Sequence, residues 1–318
     1  MPAITSSSPG KVILCGEHAV VYSAPAIALP VFQLNTKTTI LAQPTAPEGK
    51  VRMIAPCIGL DSDLESLAYN HPLKATTALV MQKMGVTRLQ ACEIRINTTI
   101  PIATGLGSSA SVTVSLARAL SAFLGNPIPD ELVNQIAFEI EKLHHGTPSG
   151  IDNTVVTYQV PVYFVKGEPI EHLKIRHPFT LVIADSGAAS LTAETVARVR
   201  ERWLADKERY DTIFANIADL SREVKENLEK NDLNQHGELL SRNHELLQAL
   251  GVSTPMLDDL VNCALQAGAL GAKLSGGGGG GNIIALVHHT QADSISRALE
   301  QQGAVRTITT TLAPGRGA

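Results

Sequence analysis

Residues 101–114 read PIATGLGSSASVTV, a glycine–serine turn running straight into an apolar stretch with helical spacing. Gly105 and Gly107 carry no Cβ, so the backbone there can bend tightly and come close to a ligand. The turn continues through Leu106 to Ser108, Ser109, Ala110 and Ser111, which open a helix. Free N–H groups and the positive dipole end of such a helix attract anions. Just upstream, residues 91–98 alternate, with Ile94 and Ile96 facing one way and Glu93 and Arg95 the other, as in a half-buried strand. Strand, loop and helix in that order make a phosphate cradle. A tight turn closed by a serine cap fits the same residues, and both readings stand at this point. Neither familiar fingerprint is present. Gly10-Lys11 and Gly49-Lys50 are each followed by Val, so there is no GxxxxGK[ST], and GLGSSA is not GxGxxG.

The chain has 318 residues, 44% hydrophobic and 18% charged, a size and balance that suit a soluble globular protein of about two domains. With only 4% aromatic residues, its core must rest on Ala, Val, Ile and Leu. A net charge of −4 without a dense Lys/Arg tract argues against nucleic acid as a partner. No apolar run reaches the roughly 18–20 residues that span a bilayer, so no membrane association is expected. The start, MPAITSSSPGK, lacks the basic end and apolar core of a signal peptide. Cys15, Cys57, Cys92 and Cys263 are scattered with no CxxC pair, and read as reduced, mostly buried thiols of a cytoplasmic protein. Cys15 precedes a glycine but has no paired His in evidence, so packing is the better reading of it than a nucleophile.

Short β-branched runs at 11–15, 26–30, 36–42 and 51–54 make the first half strand-rich. Helical spacing marks 72–84 and 109–123, and Asp130 is a suitable N-cap for a helix running to about 143. Strands are expected at 155–158 and 162–165, then at 179–184. Residues 192–268 are almost wholly helical, with Gly251 and Pro255 as breaks. The end alternates: strands at 272–274, 283–287 and 305–311, a helix at 291–302, and a disordered tail, APGRGA. The domain boundary is expected between Gly167 and Pro178, which divides the chain into 1–170 and 171–318.

Three further segments are too polar or too glycine-rich for plain scaffold. In PGKVILCGEHAVVYSAPAIALP (9–30), Lys11 stands before a strand, and Glu17 and His18 sit in a turn; alone, each could be an ordinary surface or loop residue. In FEIEKLHHGTPSGIDN (138–153), Glu139 and Glu141 close a helix and Asp152 lies in the loop beyond it. A carboxylate on a helix plus one on the following loop is the arrangement that holds magnesium and orients a hydroxyl in phosphoryl transfer. Neighbouring His144 and His145 point about 100° apart on a helix and read as cations at its C-terminal end. Finally, KLSGGGGGGN (273–282) puts six consecutive glycines between two aliphatic strands. Each costs about 0.5–1 kcal/mol relative to Ala, and a rigid turn approaching a ligand explains that placement better than a linker.

Taken together and in this order, the segments resemble the GHMP kinases, over residues 9 to about 311. Within them GEHAVVYSAPAIALP, HGTPSGIDN and NHELLQALGVSTPMLDDL (243–260) are similar to the mevalonate kinase form rather than the galactokinase form. The resemblance implies an α+β, two-domain GHMP kinase fold. Its N-terminal half is a mixed α/β nucleotide-binding domain like the second domain of ribosomal protein S5, and its C-terminal half is ferredoxin-like. It also implies roles. Lys11 and Asp152 match the catalytic lysine and aspartate; Ser109 and Glu141 match the Mg2+ ligands; residues 105–111 match the ATP cradle. Glu17, His18, Gly277 and Gly278 match positions on the substrate side. The last motif is usually GAGGGG, and Gly277 stands here in place of its Ala, which is expected to loosen the loop.

The implied reaction is ATP-dependent phosphorylation of the mevalonate 5-hydroxyl, a step of isoprenoid biosynthesis. The expected partners are mevalonate and ATP, with a homodimer as the assembly to be tested, on which the sequence is silent. The rivals are another GHMP kinase acting on phosphomevalonate or a sugar, and a non-catalytic ATP-binding sensor. The first would need extra Lys or Arg near the acceptor motifs, which offer little beyond Lys11; the second sits badly with intact Lys11, Glu141 and Asp152.

Overall fold

The computed structural model describes residues 3–145, 148–190, 192–230 and 232–314, with His144 and His145 described in backbone only. The side-chain reading of these two histidines therefore lies outside the described residues, as does the end of the tail. The chain divides into two compact units, each assembled from separate stretches. The first holds the chain up to Gly10, Leu34–Pro101 and Gly107–Gln159; the second holds Lys11–Gln33, Ile102–Leu106 and Val160 onward.

The elements begin with β1 (Ile4–Cys15), β2 (Ala26–Ala42), β3 (Val51–Ala55), β4 (Leu60–Asp63) and α1 (Pro72–Lys83). They continue with β5 (Cys92–Thr98), α2 (Ser108–Phe123), α3 (Asp130–His145) and α4 (Ile151–Tyr158). The latter part of β2 pairs antiparallel with β5 (Thr38 opposite Ile96), β3 runs parallel to β5, and β4 returns antiparallel to β3. Helix α1 starts at Pro72, whose missing N–H is no loss in a first turn, and the His71 ring accepts from the Leu73 amide as cap. It buries Leu73, Thr76, Thr77 and Val80, the spacing of a single face. Helix α2 is buried almost all round by small side chains such as Ala110, Ala117, Ala119 and Ser121. The buried Ser115 hydroxyl meets that of Thr38 at 2.8 Å, tying the helix to β2.

One expectation fails in this unit. Residues 155–158 are not a strand but the end of α4, and Asp152 therefore lies in the first turn of a helix rather than in a loop. The run Val155-Val156-Thr157 is β-branched, which favours strand locally. Tertiary burial overrides it: all three side chains are buried, and Gly150 at φ 98° supplies the left-handed entry that starts a helix.

The second unit contains β6 (Val162–Phe164), β7 (Glu171–His172), β8 (Phe179–Asp185), α5 (Thr192–Ala205) and α6 (Lys207–Lys230). After these come α7 (Leu233–Ala249), α8 (Pro255–Gln266), β9 (Gly271–Ser275), β10 (Asn282–Val287), α9 (Ala292–Gln301) and β11 (Arg306–Leu312). The start of β2 pairs with β6 (Ala26 opposite Phe164). Strands β8 to β11 form an antiparallel sheet in the order β11-β8-β10-β9. Helices fall between β8 and β9 and between β10 and β11, which is the ferredoxin-like split βαβ arrangement that the resemblance implies. Every residue of β8, β9 and β10 is buried. The core joins Val182, Leu274 and Ile283 of the sheet to Ile217, Leu257 and Ile295 of the helices. Tyr22, from the short turn after His18, stacks on Phe214 of α6 with ring centres 4.3 Å apart.

Of the cysteines, Cys15 and Cys92 are buried, Cys263 is half-buried and Cys57 is exposed, fewer buried thiols than expected. Burial pushes the Cys15 thiol up to about 12, the behaviour of a packed side chain and not of a nucleophile. Among the described residues no helix is long and apolar enough to cross a membrane.

Helix α7 carries a glycine, Gly237, where Ala would favour the helix by about 0.8–1 kcal/mol. The reason is space: a Cβ there would collide with the backbone of Leu270, and one on Gly271 would collide with Gly237 itself. Gly237→Ala should therefore lower Tm by about 3–10 °C, since overpacking costs about 1–3 kcal/mol. A thermal melt that showed Ala stabilising the protein would contradict this close helix–strand contact.

Candidate active site

Helix α2 begins from Gly107, which has a left-handed φ of 76° and no side chain with which to cap the first turn. A serine cap is thus not the purpose of this stretch; the cap position leaves first-turn amides for another acceptor, the arrangement that binds anions. The three serines that follow differ in use. Ser111 is fully buried, donates its hydroxyl to the Ser8 carbonyl at 2.9 Å and its amide to Gly107, so it holds β1 to α2. Ser108 is half-buried in the first turn, beside a buried Ala110. Ser109 donates its hydroxyl to Glu141 Oε1 at 2.6 Å. Glu141, on α3, is only 5% exposed, so two helices bring a hydroxyl and a carboxylate into one oxygen-rich pair. A hydroxyl plus one carboxylate is the donor set of a magnesium ion that keeps several waters and takes phosphate oxygens for the rest. Among the described residues no three His, Cys, Asp or Glu side chains converge into a closed metal cage. Asp152 is half-buried in the first turn of α4, where a carboxylate is favoured by the helix dipole.

The second unit gathers the other predicted residues. Lys11 is 2% exposed, and its amide donates to the Leu106 carbonyl at 3.0 Å, which ties β1 to the loop 102–106. That loop lies against the glycine run. The Asn282 amide donates to the Thr104 carbonyl, and Gly105, at φ 80°, passes close to Ser275 and Gly276. The glycines are not loose. Gly279 and Gly281 donate their amides to the carbonyls of Val252 and Ala188 at 2.8 and 2.7 Å, and the Gly278 carbonyl accepts from the Ser190 hydroxyl. A Cβ on Gly277 would sit 2.6 Å from Thr192 Oγ1, so here Thr192 fills the space that an Ala would take. The expected loosening by Gly277 is not what the geometry shows.

Glu17 and His18 lie in the turn after β1, both buried. His18 has a φ of 62°, a region non-glycine residues seldom enter. Its ring Nε2 lies 3.0 Å from the Gly277 carbonyl. Burial pushes the imidazole down to about 4, so the ring is neutral near pH 7 and Nε2 carries the donated proton. Any ligand contact from this ring is consequently made through Nδ1 as acceptor, not as the donor that a surface histidine would offer. Glu17 forms an ion pair with Lys273 of β9, and the two side chains are 1% and 0% exposed. Its second oxygen accepts from the Asn243 amide at 3.1 Å. Burial pulls the Lys273 ammonium down, while the Glu17 carboxylate acts to hold its proton.

Lys273 and Asn243 are the residues sequence reasoning missed. A signal existed for each. Lys273 interrupts an otherwise aliphatic strand that had to be buried, and a buried ammonium requires a carboxylate. Asn243 opens NHELLQALGVSTPMLDDL, a segment noted for its likeness but given no role.

Helix α2, started from a glycine and bearing a hydroxyl paired with a carboxylate, fits a phosphoryl-transfer site, and the second unit is a ferredoxin-like sheet carrying a rigid glycine turn; each is a feature of small-molecule kinases of the GHMP type. Residues 70–159 match the family described as GHMP kinases N terminal domain, and 224–305 the one described as GHMP kinases C terminal. The chain belongs to the GHMP kinases, in their mevalonate kinase branch. It is 32% identical to the mevalonate kinase of Pyrococcus horikoshii over 96% of this chain and 95% of that one. Against the mevalonate kinase of Pyrococcus furiosus the identity is 34%, with the same coverage. Among solved structures it is similar to L. major mevalonate kinase in complex with R-mevalonate, with a TM-score of 0.84 and 29% identity over 99% of this chain and 97% of that one.

The buried imidazoles make stability depend on pH. His18 and His236 are both held down to about 4 by burial, against about 6.5 when unfolded. Below pH 6.5 the unfolded chain takes up protons that the folded protein refuses, so stability present above 6.5 is lost as pH falls toward 4. At pH 5 the loss should be about 2 kcal/mol for each histidine. Denaturant melts between pH 7 and pH 5 should show this slope, to which buried His244 adds in the same direction, and His236→Gln should reduce it; an unchanged slope would mean that His236 is protonated in the fold.

Proposed function

We propose that this chain transfers the γ-phosphoryl group of ATP to the 5-hydroxyl of (R)-mevalonate. The observation that carries the transfer chemistry is the Ser109–Glu141 pair, 2.6 Å apart at the uncapped start of α2. The acceptor follows from the likeness to mevalonate kinases along nearly the whole chain.

On this reading the half 1–170 carries the ATP-binding elements and most of the acceptor contacts, and 171–318 adds the glycine turn. Gly105 to Ser111 line the triphosphate with backbone amides. Ser109 and Glu141 would hold Mg2+, which would supply positive charge to the triphosphate. Asp152 accepts a hydrogen bond from the acceptor hydroxyl, orients it toward phosphorus and takes its proton as the new O–P bond forms. The bond from Pγ to the ADP oxygen breaks, and ADP leaves with that electron pair. Lys11 contributes positive charge where the transferred group develops negative charge. The turn of Glu17 and His18, with Gly277 and Gly278, bounds the acceptor. Positioning and charge stabilisation thus supply the acceleration, as is general for phosphoryl transfer.

The test is ADP release by the purified chain with ATP and, in turn, mevalonate, phosphomevalonate, homoserine and galactose. Turnover should appear with mevalonate at a kcat/KM at least about 10²-fold above the others; a preference for phosphomevalonate or a sugar would move the chain to another GHMP activity. Turnover with none of the four would leave the sensor reading.

Ser109→Ala and Glu141→Gln should each lower kcat by about 10²-fold, and raised magnesium should restore part of it. Because both act on one ion, the double variant should lose little more than either alone. Additive losses that ignore magnesium concentration would exclude a shared ion.

A further inference from the structure

Strand β9 does two jobs with one face. Lys273 and Ser275, two residues apart, point the same way and hold the end of β1 and the turn after it. The Ser275 hydroxyl exchanges hydrogen bonds with Ile13, accepting from its amide at 3.0 Å and donating to its carbonyl at 2.9 Å. Lys273 Nζ reaches the same Ile13 carbonyl at 3.4 Å and pairs with Glu17. The alternate residue Leu274 faces the apolar core, and its amide donates to His244 Nδ1. The His244 ring therefore presents Nε2–H to Asp258, which also accepts from the Ser253 hydroxyl. Beside His244, Asn243 donates to Glu17. Val252, in the same segment, gives its carbonyl to Gly279. Segment 243–258 thus braces both the Glu17 turn and the glycine run that leaves β9.

We propose that Lys273 is a positioning residue for the acceptor side of the site, acting with Asn243 through Glu17. Both Glu17 oxygens are engaged within the protein, one by Lys273 and one by Asn243, so its carboxylate serves as an anchor. The anchor fixes the strained backbone of His18, whose ring in turn holds the Gly277 carbonyl. Scaffolding alone is a poor reason for this pair, because a buried ion pair is commonly no better for stability than apolar residues of the same volume. Asn243 adds to the cost: among the described residues nothing satisfies its buried Oδ1. Such costs persist where geometry is needed, and a displacement of about 1 Å in a positioned group can cost about 10²-fold in rate.

The inference rests on the acceptor reading above, and the test separates the two. Wild-type turnover with mevalonate is measured first; if it is absent, the acceptor reading has failed. Lys273→Met alone would strand a buried carboxylate and Glu17→Gln alone a buried ammonium, so the double variant Glu17→Gln with Lys273→Met decides, read beside Glu17→Gln and Asn243→Ala. Glu17→Gln should raise KM for mevalonate by about tenfold and leave KM for ATP within about twofold. The double variant, with both charges gone and volumes kept, should melt near the wild type and show the same tenfold rise, because the pair acts as one unit. Asn243→Ala should give a rise of about threefold to tenfold in the same constant. A double variant with the wild-type KM would make the pair purely structural and overturn the proposal. A rise of about a hundredfold would do so too, since Glu17 would then act independently of Lys273.

Discussion

The second unit is organised by backbone that has no room for side chains. A Cβ at Gly278 would collide with the Val252 carbonyl; one at Gly280 or Gly281 would sit 2.7 Å from the carbonyl of Ala189 or Thr104. Three separate segments, 102–106, 186–190 and the approach to α8, therefore converge on one turn. Six glycines raise the entropy that folding must overcome by about 0.5–1 kcal/mol each relative to Ala. Amide bonds to Val252 and Ala188 and burial of nearly the whole run offset that cost and make the turn rigid. Rigidity is what separates a preformed site from a linker, and here it comes from neighbours rather than from the glycines themselves.

Around that turn the interior is more polar than a core requires. Glu17, Lys273, Asn243 and His244 are all buried, yet each has a partner. A charge this deep survives only when paired, because desolvation otherwise drives it to the neutral form. The pairing also carries information between elements: β9, α7 and the turn after β1 cannot shift independently without unmaking a buried contact. His18 shows the consequence for chemistry. Its burial keeps the imidazole neutral, and the Gly277 carbonyl decides which nitrogen holds the proton.

Much of this was legible in the residues. The strand–loop–helix order about GLGSS placed α2 within one residue, Pro72 and Asp130 each marked the start of a helix, and Gly251 and Pro255 marked the break between α7 and α8. The alternation of helical and aliphatic runs gave the elements of the second half, while its ferredoxin-like arrangement came from the resemblance to the GHMP kinases. Residues 155–158 were misread because β-branched side chains favour a strand locally, whereas a glycine entry and burial on all sides make them helical. The same error put Asp152 in a loop. Partners distant in sequence were the other gap. Glu17 and Lys273 are 256 positions apart, and no local pattern names which buried lysine meets which carboxylate.

The α2 start shows why a single motif underdetermines its use. Three serines follow Gly107, and spacing treats them alike, but packing gives them separate tasks. Ser111 has both its hydroxyl and its amide bound inside the protein, to Ser8 and Gly107. Ser115, one turn on, meets the Thr38 hydroxyl and donates to the Val112 carbonyl. Only toward the uncapped end does a hydroxyl meet a carboxylate instead of a carbonyl, at Ser109 and Glu141. A carbonyl accepting a hydroxyl proton completes a neutral contact and needs nothing more. A carboxylate keeps further lone pairs and its charge, and so remains a ligand. The change of partner between Ser111 and Ser109, from carbonyl to carboxylate, marks where scaffold ends and site begins.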